Sequence, residues 1–179
     1  YVDITNVPSK EYGKCYYLDY HKNVYEKEYE KLYNVKMDYL KELIIKQLSD
    51  KEPVWFGCDV LQMLNRETGL LDDTNYNVSQ LFGLNLNYNK EVCLEYRDVE
   101  CNHAMMLSGV NIVNGKPNKW KIENSWGDKV GKKGYFTCTD TWFDKYVFEA
   151  VINKKYLSKE DLNNISKKPT KLEPWDSME

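Results

Sequence analysis

His103 and Asn124 are the residues in this sequence whose types and placement suit proton transfer. His103 opens the apolar run HAMMLSGVNIV, and Asn124 lies near the end of the run KWKIENSW, with NGKPN between the two. Asn114-Gly115 between such runs is a hairpin signature, because both residues tolerate the positive φ that a tight two-residue turn demands. A hairpin through that turn sets His103 and Asn124 side by side at one edge of a sheet. The amide oxygen can then accept a hydrogen bond from one ring nitrogen, which fixes the tautomer and aims the other nitrogen outward. The second histidine, His21, lies in an aromatic and charged run without such a companion. It reads as a surface or internally satisfied side chain.

An imidazole held this way commonly activates a nucleophile, and the chain has five cysteines: Cys15, Cys58, Cys93, Cys101 and Cys138. Cys58 falls in the apolar run PVWFGCDV. Cys101 stands two residues before His103, and strand alternation would put both side chains on one face. Neither has the helix N-terminus and converging donors that a thiolate nucleophile needs, so both read as core or surface thiols. An odd number of scattered cysteines fits reduced thiols in the cytoplasm better than a disulfide framework. Cys93, Cys101 and His103 lack the paired Cys-x-x-Cys spacing of a zinc site. Neither metal nor cofactor is expected.

Asn124 runs on into Ser125-Trp126-Gly127, followed by Gly131 and Gly134-Tyr135. With His103-Ala104 ahead of it, this order resembles the second half of a papain-like cysteine peptidase. The bleomycin hydrolase and aminopeptidase C branch is the closer likeness. PVWFGCDV, NHAMMLSGV, KWKIENSWGDKVGKKGYF, TDTWFDKYVFEAVINKKY and EPWDSM resemble that branch in its order, over nearly the whole chain and least between residues 61 and 100.

The resemblance implies an α+β fold, the right-hand antiparallel β-barrel-like half of a papain-like peptidase with flanking helices. Residues 1–179 would form the C-terminal, His/Asn-bearing portion of such an enzyme, with 167–179 an extended tail. It further implies that His103 is the acid/base, Asn124 its orienting partner, and Trp126 the indole covering their hydrogen bond. Gly127, Gly131 and Gly134 would let the chain turn away from that lid. The activity implied is that of a cysteine aminopeptidase on peptide substrates. Its thiol pKa falls to roughly 3–4 beside the charged imidazole; the thiolate attacks the scissile carbonyl and the imidazolium protonates the departing amine.

The family's nucleophile stands in a Cys-Trp step on a helix, a few residues after an oxyanion-hole Gln, and no such block occurs in this sequence. The half carrying the Cys is therefore expected to precede Tyr1, and this chain alone to be inactive. The alternative is a catalytically inactive, peptidase-derived binding or structural domain. The resemblance also implies a homo-hexameric barrel with enclosed sites, and nucleic-acid binding by some members. In that branch the tail enters the cleft soon after a Trp-Asp-Pro-Met block, and its terminal carboxylate holds the substrate's free amine. Here Trp175-Asp176 is followed by Ser177, and the sequence given ends at Glu179.

The elements that must carry these residues follow from periodicity. Met37, Leu40, Leu43, Ile44 and Leu48 recur at three- and four-residue steps, which predicts an amphipathic helix over Val35 to Leu48. Pro53 to Val60 reads as a buried strand, and Lys14 to Val24 as a strand by its aromatic content. Glu26 to Tyr33 reads as a solvated turn or short helix, Leu61 to Leu64 as a short helix, and Leu81 to Tyr88 as a strand or irregular segment. GYFTCTD and YVFEAVI predict strands separated by a short helix at DTWFDKY. Ser158-Lys-Glu-Asp161 has the form of a helix capping box.

Composition sets the outer bounds. Of 179 residues, 42% are hydrophobic and 30% charged, which is a globular composition for one domain or part of a larger one. A net charge of −3 makes a nucleic-acid partner unexpected. No run approaches the roughly 18 apolar residues that a membrane span takes. The chain opens at Tyr1 with neither Met nor a signal-like segment, which predicts a partial or processed polypeptide.

Overall fold

The hairpin predicted around Asn114-Gly115 forms, and it is the spine of the molecule. In the computed structural model, which describes residues 1–22 and 24–178, β7 (His103–Val113) pairs antiparallel with β8 (Lys116–Glu123). Asn114 and Gly115 both take positive φ, 52° and 76°, as the tight turn between right-twisted strands requires. β8 pairs in turn with β9 (Tyr135–Thr139), and β7 with β4 (Val54–Cys58), which continues to β10 (Val147–Ile152) and β1 (Val2–Thr5). All of these pairings are antiparallel.

Five further strands extend the sheet at its two ends. β2 (Lys14–Leu18), β3 (Leu32–Asn34) and β11 (Thr170–Leu172) lie beyond β1, whereas β6 (Leu70–Leu71) and β5 (Leu64–Asn65) lie beyond β9. The order is β11-β2-β3-β1-β10-β4-β7-β8-β9-β6-β5. The pairs β1–β3, β11–β2 and β6–β9 are parallel. An α+β class with an antiparallel centre therefore holds, and parallel pairs occur only on its flanks.

The amphipathic helix predicted over Val35 to Leu48 spans Met37–Ser49 (α1). Leu40, Leu43 and Ile44 are fully buried, each contributing about 1.5–3 kcal/mol by leaving water. They join one core with Phe56, Leu107, Trp120, Ile122 and Phe143. Trp120 and Phe143 stack with ring centroids 4.5 Å apart, and the Trp120 indole N–H donates to Asp140 Oδ1 at 3.0 Å. The expected short helix at DTWFDKY is α4 (Asp140–Tyr146), capped by the Thr139 hydroxyl. The Ser158 capping box opens α5 (Lys159–Ser166).

Several expectations are corrected. Lys14 to Val24 is a strand only to Leu18, because Tyr20 adopts a φ of 64°, which breaks an extended run. Glu26 to Tyr33 does not end as a turn or helix: its last residues enter β3. Leu61 to Leu64 is not helical. Met63 takes a φ of 53°, and Asn65 accepts from the backbone N–H groups of Thr68 and Gly69, folding the chain into a tight β5–β6 turn. Part of Leu81 to Tyr88 belongs to α2 (Val78–Phe82), a single helical turn capped by Asn77. A further helix, α3 (Lys90–Glu95), starts at the Asn89 cap.

The tail is extended through Thr170–Leu172 and then turns, with the Asp176 backbone N–H donating to the Glu173 carbonyl at 3.0 Å. It supplies β11 and is then pinned: Arg97 donates to the carbonyls of Trp175 and Asp176. Lys10 Nζ lies 2.6 Å from Asp176 Oδ2. Met178 is buried among Val7, Tyr16, Leu94, Val99 and Phe148. Glu179, the carboxylate considered for the end of the tail, lies outside the described residues.

Candidate active site

His103 is the first residue of β7, and Asn124 follows the last residue of β8. The register pairs Met106 with Glu123. Continued outward, it sets Asn124 across from Met105, one diagonal step from His103, and Trp126 across from His103 itself. All three side chains thus belong to one face, within the reach that diagonal neighbours have on a sheet. His103 Nε2 and Asn124 Oδ1 are 2.9 Å apart. Asn124 is buried, whereas His103 and Trp126 are half-buried.

The amide orientation has a local cause. The backbone N–H of Ser125 donates to Asn124 Oδ1 at 2.8 Å. A flipped amide would turn an NH2 toward that N–H, donor against donor. The oxygen is therefore held where the imidazole meets it, so Nε2 carries the hydrogen and Nδ1 is the nitrogen left for other work. Asn124 Nδ2 is buried with no partner among the described residues.

Trp126 packs on this pair. Its ring centroid is 4.8 Å from that of His103 at an interplanar angle of 34°, and Phe136 meets it edge-on at 5.9 Å. The Arg66 guanidinium lies 5.5 Å from the Trp126 ring centroid, a cation–π contact. Arg66 and Trp126 line a shallow hollow of about 440 Å³ with Glu67, Lys129 and Val130. Nothing around Arg66 in the sequence marks it, because the β5–β6 turn carries it there.

After Trp126 the chain turns at Gly127, whose φ is 83°. At Gly131 the constraint is spatial as well. Its φ is 61°, and a Cβ there would stand 2.6 Å from the Phe136 ring and 2.7 Å from the Tyr135 carbonyl oxygen. A larger residue would push Phe136 off the edge of Trp126. The loop closes where the Asn124 backbone N–H donates to the Gly134 carbonyl at 3.0 Å.

A second set of contacts fixes the approach to His103. Asn102 donates to Asp59 Oδ1 at 2.5 Å and accepts from the Val60 backbone N–H at 3.1 Å. Asp59 also accepts from the backbone of Leu61 and Glu100 and from the side chain of Gln62. This buried carboxylate thus ties the end of β4 to the loop that leads into His103.

The cysteines do not join it. Cys101 precedes β7, and its thiol lies 3.7 Å from Glu149 Oε1. Burial and the Glu149 charge push that thiol up to about 12. Burial is the main cause of the raised pKa at each of the other four, strongest at Cys58 and Cys138. Thiolate chemistry needs the opposite shift. Among the described residues no group of three or more His, Cys, Asp or Glu is placed to hold a metal ion.

No helix among the described residues is long and apolar enough to cross a membrane. Aminopeptidase C from Listeria innocua serovar 6a is 43% identical over 180 residues, spanning 99% of this chain. Aminopeptidase E from Lactobacillus helveticus is 45% identical over 178 residues, again 99% of this chain. The chain covers 41% of the length of each. The crystal structure of PepW from Lactobacillus rhamnosis HN001 superposes with a TM-score of 0.96 at 44% identity, over 99% of this chain and 41% of that one. With the Peptidase C1-like family profile matching residues 1–179, the chain belongs to the papain-like peptidases of that family.

Proposed function

We propose that this chain is the imidazole-bearing portion of a cysteine aminopeptidase of the bleomycin hydrolase type, acting on peptides. The observation that carries the reading is the His103–Asn124 hydrogen bond packed by Trp126, with Nδ1 left over. In this reading a thiolate from a part of the full-length polypeptide outside this chain faces Nδ1. The thiolate attacks the scissile carbonyl while His103, as imidazolium, gives the Nδ1 proton to the departing amine. Asn124 keeps the ring from rotating, and Trp126 keeps water off the Nε2–Oδ1 bond, where a drier surrounding strengthens it.

The raised thiols support placing the nucleophile outside this chain. So does the 41% share of the relatives that the chain spans. The reading includes a cytoplasmic enzyme that assembles into homo-hexamers, as the family resemblance implies, and it leaves the isolated chain inert. It also includes a tail whose terminal carboxylate holds the substrate's free amine, so that one N-terminal residue is removed at a time.

The test is hydrolysis of aminoacyl-coumarin amides by the full-length protein and by His103→Ala. The variant should lose at least about a thousandfold in kcat/KM with its circular dichroism unchanged. Rates like those of the parent would remove His103 from the chemistry. A full-length protein without turnover would favour an inactive, peptidase-derived binding domain.

A further inference from the structure

The hollow beside Trp126 is basic, in a chain whose net charge is −3. Arg66 and Lys129 line it with Glu67, Trp126 and Val130, and both cations are exposed. Neither forms an ion pair among the described residues, with Glu67 or with any other carboxylate. The loop that carries Lys129, from Asp128 to Gly134, holds three lysines against one aspartate. Glu67 and Asp128 therefore offset the positive charge only in part. Arg66 meets the indole at 5.5 Å instead of a carboxylate. A guanidinium over an aromatic face keeps its rim of N–H donors, which suits the forked recognition of a carboxylate.

Backbone contacts fix the two walls from which these cations project. The Gly131 N–H donates to the Arg66 carbonyl at 3.1 Å, and the Gly134 N–H to the Val130 carbonyl at 3.1 Å. A Cβ at Gly69 would stand 2.9 Å from Gly131 Cα, so the β5–β6 turn and the loop approach each other as glycines alone allow. The hollow is also tied to the imidazole. Ring centroids of His103 and Trp126 are 4.8 Å apart, and the Arg66 guanidinium is one such contact further on.

We infer that Arg66 and Lys129 bind a carboxylate of the departing peptide, two or three residues beyond the scissile bond, an inference that rests on the peptidase reading above. In that reading His103 protonates the departing amine, so the residues attached to that amine leave past His103 and Trp126. Two or three extended residues, at about 3.5 Å each, cover the two successive ring contacts between imidazole and guanidinium. The carboxylate is either the C-terminus of a short peptide or an acidic side chain, and the chemistry that recognises it is the same. Covering the hollow with other polypeptide would demand a buried carboxylate to match two cations, and would crowd an imidazole that has to admit substrate.

Initial rates of leucine release by the full-length protein test this. One pair of substrates is Leu-Gly-Gly and its C-terminal amide; the other is Leu-Gly-Asp-Gly-amide and Leu-Gly-Asn-Gly-amide. At low salt kcat/KM should favour the carboxylate member of at least one pair about fivefold, and the pair that shows it identifies the source. Arg66→Met/Lys129→Met should bring that ratio close to one. Methionine keeps an apolar stem against Trp126, and a ratio taken within one variant cancels any loss passed on through the indole. A parent ratio near one in both pairs overturns the inference, while turnover of the amides leaves the peptidase reading standing. So does a ratio that the double variant retains, which would mean that Arg66 acts through Trp126 alone. A retained ratio with lowered thermal stability would assign the cations to a carboxylate elsewhere in the polypeptide, and overturns it too. No leucine from any of these peptides removes both the inference and the reading beneath it.

Discussion

The orientation of one side-chain amide organises the candidate site. Asn124 Oδ1 receives two N–H groups, from Ser125 and from His103, and the first of these would hold even if the histidine were absent. The amide is thus set by the backbone and the imidazole by the amide. Removing Asn124 should leave the imidazole in place with freedom to turn. Asn124→Ala in the full-length protein is expected to lower kcat roughly ten- to a hundredfold, less than the loss at His103→Ala, as read from steady-state rates. Equal losses would assign Asn124 more than a positioning role. This pair was legible in the sequence because a two-residue Asn-Gly turn leaves few registers for the strands on either side. Arg66 was not: its contact with Trp126 depends on a turn in which Met63 adopts positive φ, and no local pattern announces that.

At the scale of elements, strand order creates chemistry that no single strand contains. β1 lies between β10 and β3, which gathers Asp3, Glu30 and Glu149 into one neighbourhood. Burial, a hydrogen bond with Glu30 and the charges of Glu30 and Glu149 push the Asp3 carboxyl up to about 7 from 3.8. The unfolded chain ionises this group at the ordinary value, so folding retains a proton between the two. Stability from this group is therefore present at low pH, is lost as pH rises from about 4 to 7, and then levels. Asp3→Asn should be more resistant to urea than the parent at pH 8, by about 1–2 kcal/mol once solvent screening is allowed for. The difference should vanish near pH 4. A gap that is constant with pH would mean the carboxyl titrates normally. Long periodic elements such as α1, β7 and β8 could be read in advance. β3, β5, β6 and β11, two or three residues each, could not, since two residues carry no period and their pairing is decided by distant strands.

At the scale of the molecule, most of the eleven strands and five α-helices among the described residues meet in one principal core, yet the chain spans only 41% of the length of a relative that matches it from end to end. The sheet is complete enough to place an imidazole and incomplete as a catalyst on the proposed reading. The five cysteines, each with its thiol pKa pushed up, give that division a chemical signature. Alkylation by iodoacetamide at pH 6.5 should leave this chain almost unlabelled over minutes, as intact mass spectrometry would record. Rapid modification of Cys101 or Cys93 would contradict the shifts. The same silence has a practical side. In the full-length protein a thiol-directed electrophile would meet a background without competitors from this portion. One equivalent of label would then count working sites, and a covalent inhibitor could be built for the nucleophile with no need to discriminate against the thiols around the histidine.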